Sequence, residues 1–193
     1  MSLSDRLRAR LAAPPVEPPI VGDLPELRAS ASIAAAVLIG ITDRMDPGVL
    51  LTVRRENMRT HAGQIAFPGG RLDPGEDAVA AAIREAQEEL GLEPSLAEPV
   101  GRLADYRTVT GFIVTPVIAV IPPALDLTPH EPEVADWFEA PLAFLLDPKN
   151  HQLQTAVFGG RERRYWQIEW NGRRIWGATA AMLVNLSRRL QWS

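Results

Sequence analysis

Arg84, Glu85, Glu88 and Glu89 have the side-chain types and the spacing for chemistry. On a helix, residues three and four apart share one neighbourhood. At about 100° per residue, Glu88 falls about 60° to one side of Glu85 and Glu89 about 40° to the other. The spacing predicts three carboxylates in one narrow sector. Val79, Ile83, Ala86 and Leu90 fall in another sector, as the apolar stripe that docks the helix. Like charges at i,i+4, here Glu85 and Glu89, cost a helix about 0.2–0.5 kcal/mol. Such a cluster calls for a counter-charge, and a hard divalent cation that prefers carboxylate oxygens supplies one. A run of acids on a helix is also what a solvated face looks like, so the surrounding frame has to separate the two.

The frame runs from Gly70 to Leu92: Gly70, five residues, Glu76, seven residues, then Arg84-Glu85-Ala86-Gln87-Glu88-Glu89-Leu90-Gly91-Leu92. It resembles the Nudix box, G-x5-E-x7-R-E-U-x-E-E-x-G-U, with U a bulky aliphatic residue. Every polar and glycine position matches, and the one departure is Ala86 at a packing position. Nine constrained positions at fixed spacing are far more specific than a lone glycine motif. The resemblance implies an α/β/α sandwich with a mixed sheet, and hydrolysis of a nucleoside diphosphate linked to another moiety. It implies Mg²⁺ or Mn²⁺ held by Glu85 and Glu89, with Glu88 as a ligand or the general base, and Gly70 adding its carbonyl. Arg84 would orient a box carboxylate, and Glu76 would have a structural role.

The preceding stretch, Leu50–Gly70, reads LLTVRRENMRTHAGQIAFPGG. It resembles the motif of the coenzyme A pyrophosphatase subfamily at Leu50, Leu51, Thr52, Arg54, Arg59, Gly63, Phe67, Pro68, Gly69 and Gly70. Arg55 departs, standing where that subfamily prefers Ser or Ala. The products implied are 3′,5′-ADP and 4′-phosphopantetheine or its acyl form. Arg54, Arg59, Gly63 and Gly70 belong to the implied binding segment. Planar guanidinium groups suit bidentate phosphate contacts, which makes Arg54, Arg55 and Arg59 candidates for phosphate recognition. The alternative is that they pair with nearby acids such as Glu56. Glu133, in the run HEPEV, is a further candidate base or ligand, because some Nudix enzymes use a downstream loop glutamate. Two other readings stay open: a Nudix pyrophosphatase for ADP-ribose, NADH or a nucleoside triphosphate, and a non-catalytic Nudix-fold binding module.

Other chemistry-bearing residues carry no motif. His61, His130 and His151 lack ligand spacing. Trp166, Trp170 and Trp176 alternate along one hairpin, as core or dimer contacts rather than an adenine platform. Tyr106 reads as a packing residue rather than a stacking surface for a base.

These side chains need a scaffold. A chain of 193 residues fits one domain with a sizeable core. Its net charge of −4 gives no general attraction to nucleic acid or anionic membranes. The absence of cysteine removes disulfides and thiolate metal sites and agrees with a cytoplasmic setting. The N-terminus has no apolar core of a secretory signal, and no uncharged run is long enough for a membrane span. The implied substrate is a small molecule, and a homodimer is among the states the resemblance allows.

Residues 4–12 suit a short amphipathic helix, and residues 13–25 hold five prolines that predict an extended arm. Residues 1–30 thus precede the body of the domain. Strands are expected at Ile33–Ile41 and Val49–Arg54 as a hairpin, at Val100–Tyr106, and at Phe112–Ile121. Arg55–Ala66 reads as a polar loop. The box helix should begin after Asp77 and stop at Gly91. Pro122–Pro132 reads as loop and Pro141–Leu146 as a helical turn. Asn171-Gly172 predicts a hairpin between Tyr165–Trp170 and Arg173–Trp176, followed by a helix over Ala178–Leu190.

Overall fold

A computed structural model describes residues 1–23, 32–55, 63–130, 132–158 and 160–192. The helix α1 (Leu3–Ala12) opens the chain. The strands β1 (Ile33–Thr42), β2 (Gly48–Arg54), β3 (Ile65–Ala66) and β4 (Gly69–Arg71) lead to the box helix α2 (Ala78–Leu90). Then come β5 (Glu98–Arg102), β6 (Tyr106–Arg107), β7 (Phe112–Ile121), β8 (Val134–Pro141) and α3 (Leu142–Leu146). A hairpin unit of β9 (Gln152–Phe158), β10 (Arg161–Trp170) and β11 (Arg173–Trp176) precedes α4 (Ala178–Leu190).

The centre is the parallel pair β1–β7, in register from Ile33↔Phe112 to Thr42↔Ile121. Antiparallel neighbours complete a mixed sheet: β2, β4, β5 and β6 join that pair, and β3 and β8 join β2. Strand alternation sends side chains to opposite faces. Ala36 and Leu38 of β1 pack with α2, whereas Ala35, Ile39 and Ile41 pack with α1, α3 and α4. The result is the expected helix–sheet–helix order.

The helix α2 begins where its chemistry requires. The Asp77 carboxylate accepts from the amides of Val79 and Ala80 at 2.8 and 2.9 Å. Gly91 closes the helix at φ 70°, a conformation that favours glycine. The docking face differs from the expected stripe. Ala78, Ala81, Ala82, Ala86 and Leu90 are buried, and Val79 and Ile83 only flank them. Small alanines let the helix lie close to the sheet. That rotation also puts Glu89 among the buried residues.

Four other expectations change. Val100–Tyr106 is two short strands, because β5 starts earlier and carries an irregularity between Pro99 and Gly101. The end of the Arg55–Ala66 segment forms β3 against β2. Two strands went unforeseen. In β8, Asp136 and Glu139 hide the strand, yet it pairs with β2 along its length. In β9, Leu153 and Val157 alternate but remain exposed.

The proline arm is tied down as far as Asp23. The buried Asn185 side chain accepts from the Ile20 amide and donates to the Ile20 carbonyl, both at 2.8 Å. Arg107 bonds the arm through Val21 and Asp23. The Asp23 carboxylate accepts from the Tyr106 hydroxyl at 2.5 Å and the Val109 amide at 2.8 Å. Tyr106 is buried beneath the arm. Among the described residues, no helix is long and apolar enough to cross a membrane.

Candidate active site

The Phe67-Pro68-Gly69-Gly70 turn presses the backbone of β4 between β1 and α2. The Leu38 amide donates to the Pro68 carbonyl at 2.8 Å. A Cβ on Gly69 would lie 2.3 Å from the Ala36 carbonyl oxygen, and one on Gly70 would lie 2.4 Å from Glu85 Oε1. Both positions need glycine because neighbouring atoms already fill the space a side chain would take. The Gly70 main chain therefore lies against a box carboxylate.

Arg84 organises the acids. Its Nε and Nη2 grip Glu76 Oε1 and Oε2, each at 3.0 Å. Nη1 donates to Glu85 Oε1 at 2.9 Å and to Glu88 Oε2 at 3.2 Å. Nη2 also donates to the Arg71 carbonyl at 2.9 Å. These contacts use all five donors of a guanidinium. Hydrogen bonds from Arg84, and then from the Asp73 amide, hold Glu76 below the usual carboxylate range. The same bonds, chiefly the one to Glu76, raise Arg84 further.

The three box carboxylates differ in exposure, which the helical spacing alone does not tell. Glu89 keeps 4% exposure, whereas the Glu88 side chain is 58% exposed. The alanine face of α2 decides this, because it turns Glu89 toward the sheet and Glu88 toward water. Burial pushes Glu89 up to about 8. Arg54 and a hydrogen bond from the Gly69 amide oppose that rise, while Glu85 and Glu133 add to it. Glu85 is also raised, first by burial, against the pull of Arg84.

Tertiary structure brings Glu133 to this cluster. The Thr128 and His130 amides cap the end of α2 by donating to the Leu90 and Glu89 carbonyls, each at 2.8 Å. The Glu133 amide donates to His130, and its carbonyl accepts from the Arg55 amide at 3.2 Å. Its charge reaches both Glu85 and Glu89. Arg54 ends β2 with its main chain fixed by Gln64 and by Gly63, the latter at φ 67°. Arg59, with Glu56 and His61, lies outside the described residues.

The remaining candidates are packed elsewhere. His151 Nε2 lies 2.8 Å from the Leu145 carbonyl and edge-on to Trp166. Trp170 stacks on Phe138, and Trp176 meets Tyr165 edge to face. The Gly69 amide, the Arg71 carbonyl and the Thr128 and His130 amides shape the site, yet as main-chain groups they left no signal in the side-chain pattern.

The donor set is all oxygen, the chemistry Mg²⁺ and Mn²⁺ prefer. Among the described residues, no three acidic or histidine side chains already form a cage. Arg84 bridges Glu85 and Glu88, and Glu89 accepts from Gly69. The residues fit a hard cation in composition and in the glycine cradle. Glu85, Glu89 and Glu88, with the Gly70 carbonyl, are the groups that would hold it.

A pH dependence follows. The folded-state value of Glu89, about 8, lies above its ordinary 4.5. Its contribution to stability is therefore complete below the unfolded value and lost as pH rises through the folded one. Thermal unfolding of chelator-treated protein should show a component that declines from about pH 4.5 to about pH 8. Glu89→Gln should flatten that component, and an unchanged slope would contradict the assignment.

Comparison with known proteins adds sequence and fold relationships. The profile of the NUDIX domain matches residues 32–158. The chain is 42% identical over 157 residues to the uncharacterized Nudix hydrolase NudL of Escherichia coli (strain K12), covering 81% of this chain and 82% of that protein. NudL of Salmonella newport (strain SL254) matches to the same extent. The solved Nudix hydrolase RenU of M. smegmatis aligns with a TM-score of 0.53 and 25% identity, over 66% of this chain and 81% of that one.

Proposed function

Because this chain belongs to the Nudix hydrolase family, we propose that it hydrolyses the pyrophosphate bond of coenzyme A and its thioesters, using Mg²⁺ or Mn²⁺. The observation that carries this reading is the segment Leu50–Gly70, which joins the subfamily's arginine and glycine pattern directly to the box. The products are 3′,5′-ADP and 4′-phosphopantetheine or its acyl form. The reading takes residues 1–193 as one domain acting in the cytoplasm on a small-molecule substrate. A homodimer is compatible with it.

The chemistry is a displacement at phosphorus. The oxygen of water bonds to one phosphorus as the bridging P–O bond breaks, and the other phosphate leaves. A bound divalent cation supplies positive charge that offsets the pyrophosphate and acidifies water. Arg84 fixes Glu85 and Glu88 relative to Glu76, so their oxygens keep one arrangement. Glu88 or Glu133 accepts the proton from the attacking water, both being carboxylates beside the box. Arg59, with Gly63 at the end of its segment, contacts substrate phosphate.

A substrate panel tests the reading: coenzyme A, dephospho-coenzyme A, ADP-ribose, NADH and dGTP, each with Mg²⁺ and with Mn²⁺. Coenzyme A should give the highest kcat/KM, and higher turnover of ADP-ribose, NADH or dGTP would favour a different Nudix pyrophosphatase. Charge-assisted bonds to phosphate contribute about 1.5–3 kcal/mol. Arg59→Ala should therefore cost coenzyme A about one to two decades in kcat/KM and dephospho-coenzyme A less. An equal loss on both substrates would move Arg59 from the 3′-phosphate to the pyrophosphate.

A further inference from the structure

The strand β9 leaves one side of its ladder open. It pairs with β10, from Gln152↔Gln167 to Phe158↔Arg161, and with no other strand among the described residues. A free edge offers a row of N–H and C=O groups to another chain, and monomeric proteins blunt such edges with charge, proline, irregular pairing, shortness or a cover. The other edges of this protein are blunted. β5 contains Pro99 and an irregular register, and α1 covers it through Ser4 and Arg8, which donate to Glu98 at 2.6 and 2.7 Å. β3, β4 and β6 are only two or three residues long. β8 carries Asp136 and Glu139, and β11 has four residues, two of them Arg173 and Arg174. β9, with the sequence QLQTAVF, has no charge, no proline and a regular register. It also leaves Leu153 48% exposed and Val157 70% exposed on one face.

The occupant this edge fits is a second copy of itself. Two identical strands pair antiparallel about a two-fold axis normal to the sheet, so facing residues share one face of it. Thr155 is the middle residue of β9. With the axis there, Leu153 of each copy faces Val157 of the other, Gln154 faces Ala156, and Thr155 faces itself. The two exposed apolar side chains thus cover each other, and moving the axis by one residue either way separates them. Charge favours the same edge. The charged residues lie one strand further in, on β10. The two β10 strands would stand three strand spacings apart, about 14 Å, beyond the screening length of about 8–10 Å in salt. Pairing through β11 would instead set Arg173 and Arg174 of two copies against each other at one spacing. We propose that the protein forms a closed dimer through β9, which joins its three-stranded sheet to the same sheet of a second copy. Each chain has one β9, so the assembly stops at two chains. The interface goes beyond the hydrolytic reading and holds whichever compound is cleaved.

Light scattering on the full-length protein tests this. The mass should rise from one chain to two as concentration is raised through roughly 1–200 µM, the range of a small interface. Thr155→Glu or Thr155→Lys alone sets like charges against each other across the axis, and each should weaken association by roughly tenfold or more. An equimolar mixture of the two variants should regain the mass of two chains, because opposite charges then meet. Circular dichroism of both should stay that of folded protein, since Thr155 is exposed. Should either not fold, Val157→Lys, which puts an ammonium against Leu153 of the other copy, should weaken association as well. A mass of one chain throughout, a dimer indifferent to these substitutions, a mixture no heavier than its components, or assemblies larger than two chains would each overturn the proposal.

Discussion

Glu85→Gln and Glu89→Gln should each abolish most hydrolysis, by more than roughly a hundredfold in kcat/KM, while the circular dichroism spectrum stays that of the folded protein. The magnitude follows from a comparison. Removing a group that merely orients a metal ligand typically costs 10–100-fold, about one to two decades, so removing a ligand should cost more. Glutamine keeps the volume and one carbonyl oxygen but removes the charge. The two variants should differ in stability even though they share the loss of rate. Glu89 is buried with a raised proton affinity, so Gln at that position should be neutral or stabilising without metal. Glu85 accepts from Arg84, so its variant leaves that guanidinium one charged partner short. Calorimetric titration with Mn²⁺ should show weakened binding in both variants. Near-normal rates with unchanged spectra would remove these residues from the metal site.

Arg84→Lys should be nearly as damaging to turnover as Arg84→Gln, with a loss of about 10–100-fold in kcat for both. The reason is geometric. Arg84 reaches Glu76 with two nitrogens, bridges Glu85 and Glu88 with a third, and meets the Arg71 carbonyl. A lysine ammonium is a point charge with three donors and cannot reproduce that planar fork. With the fork gone, Glu85 and Glu88 lose their common reference to Glu76. The loss should fall on kcat and on the Mg²⁺ concentration needed for half activity, with the KM for substrate little changed. If Arg84→Lys works at the wild-type rate, the positive charge alone suffices and the positioning role is wrong.

Features carried by short-range physics were legible in the amino-acid sequence. Asp77 and Gly91 mark the ends of α2 because capping and left-handed closure depend on a few adjacent residues. Asn171-Gly172 makes its turn at φ 48° and 73° for the same reason. The box frame, fixed in spacing over twenty-odd positions, pointed to the family and the helix–sheet–helix order. The strand Phe112–Ile121 was visible as a long apolar run.

Contacts between distant segments were settled only by tertiary structure. A helical wheel places Glu85, Glu88 and Glu89 together, but docking of α2 through its alanines buries Glu89 and leaves Glu88 in water. Nothing near Glu133 says that its loop caps the end of α2, because the bonds that bring it there are main-chain bonds available to any residue. The strand β8 was hidden by its charges, since pairing with β2 tolerates polar side chains on a half-exposed edge. The burial of Glu89 belongs to the assembled layers and not to any local stretch of chain.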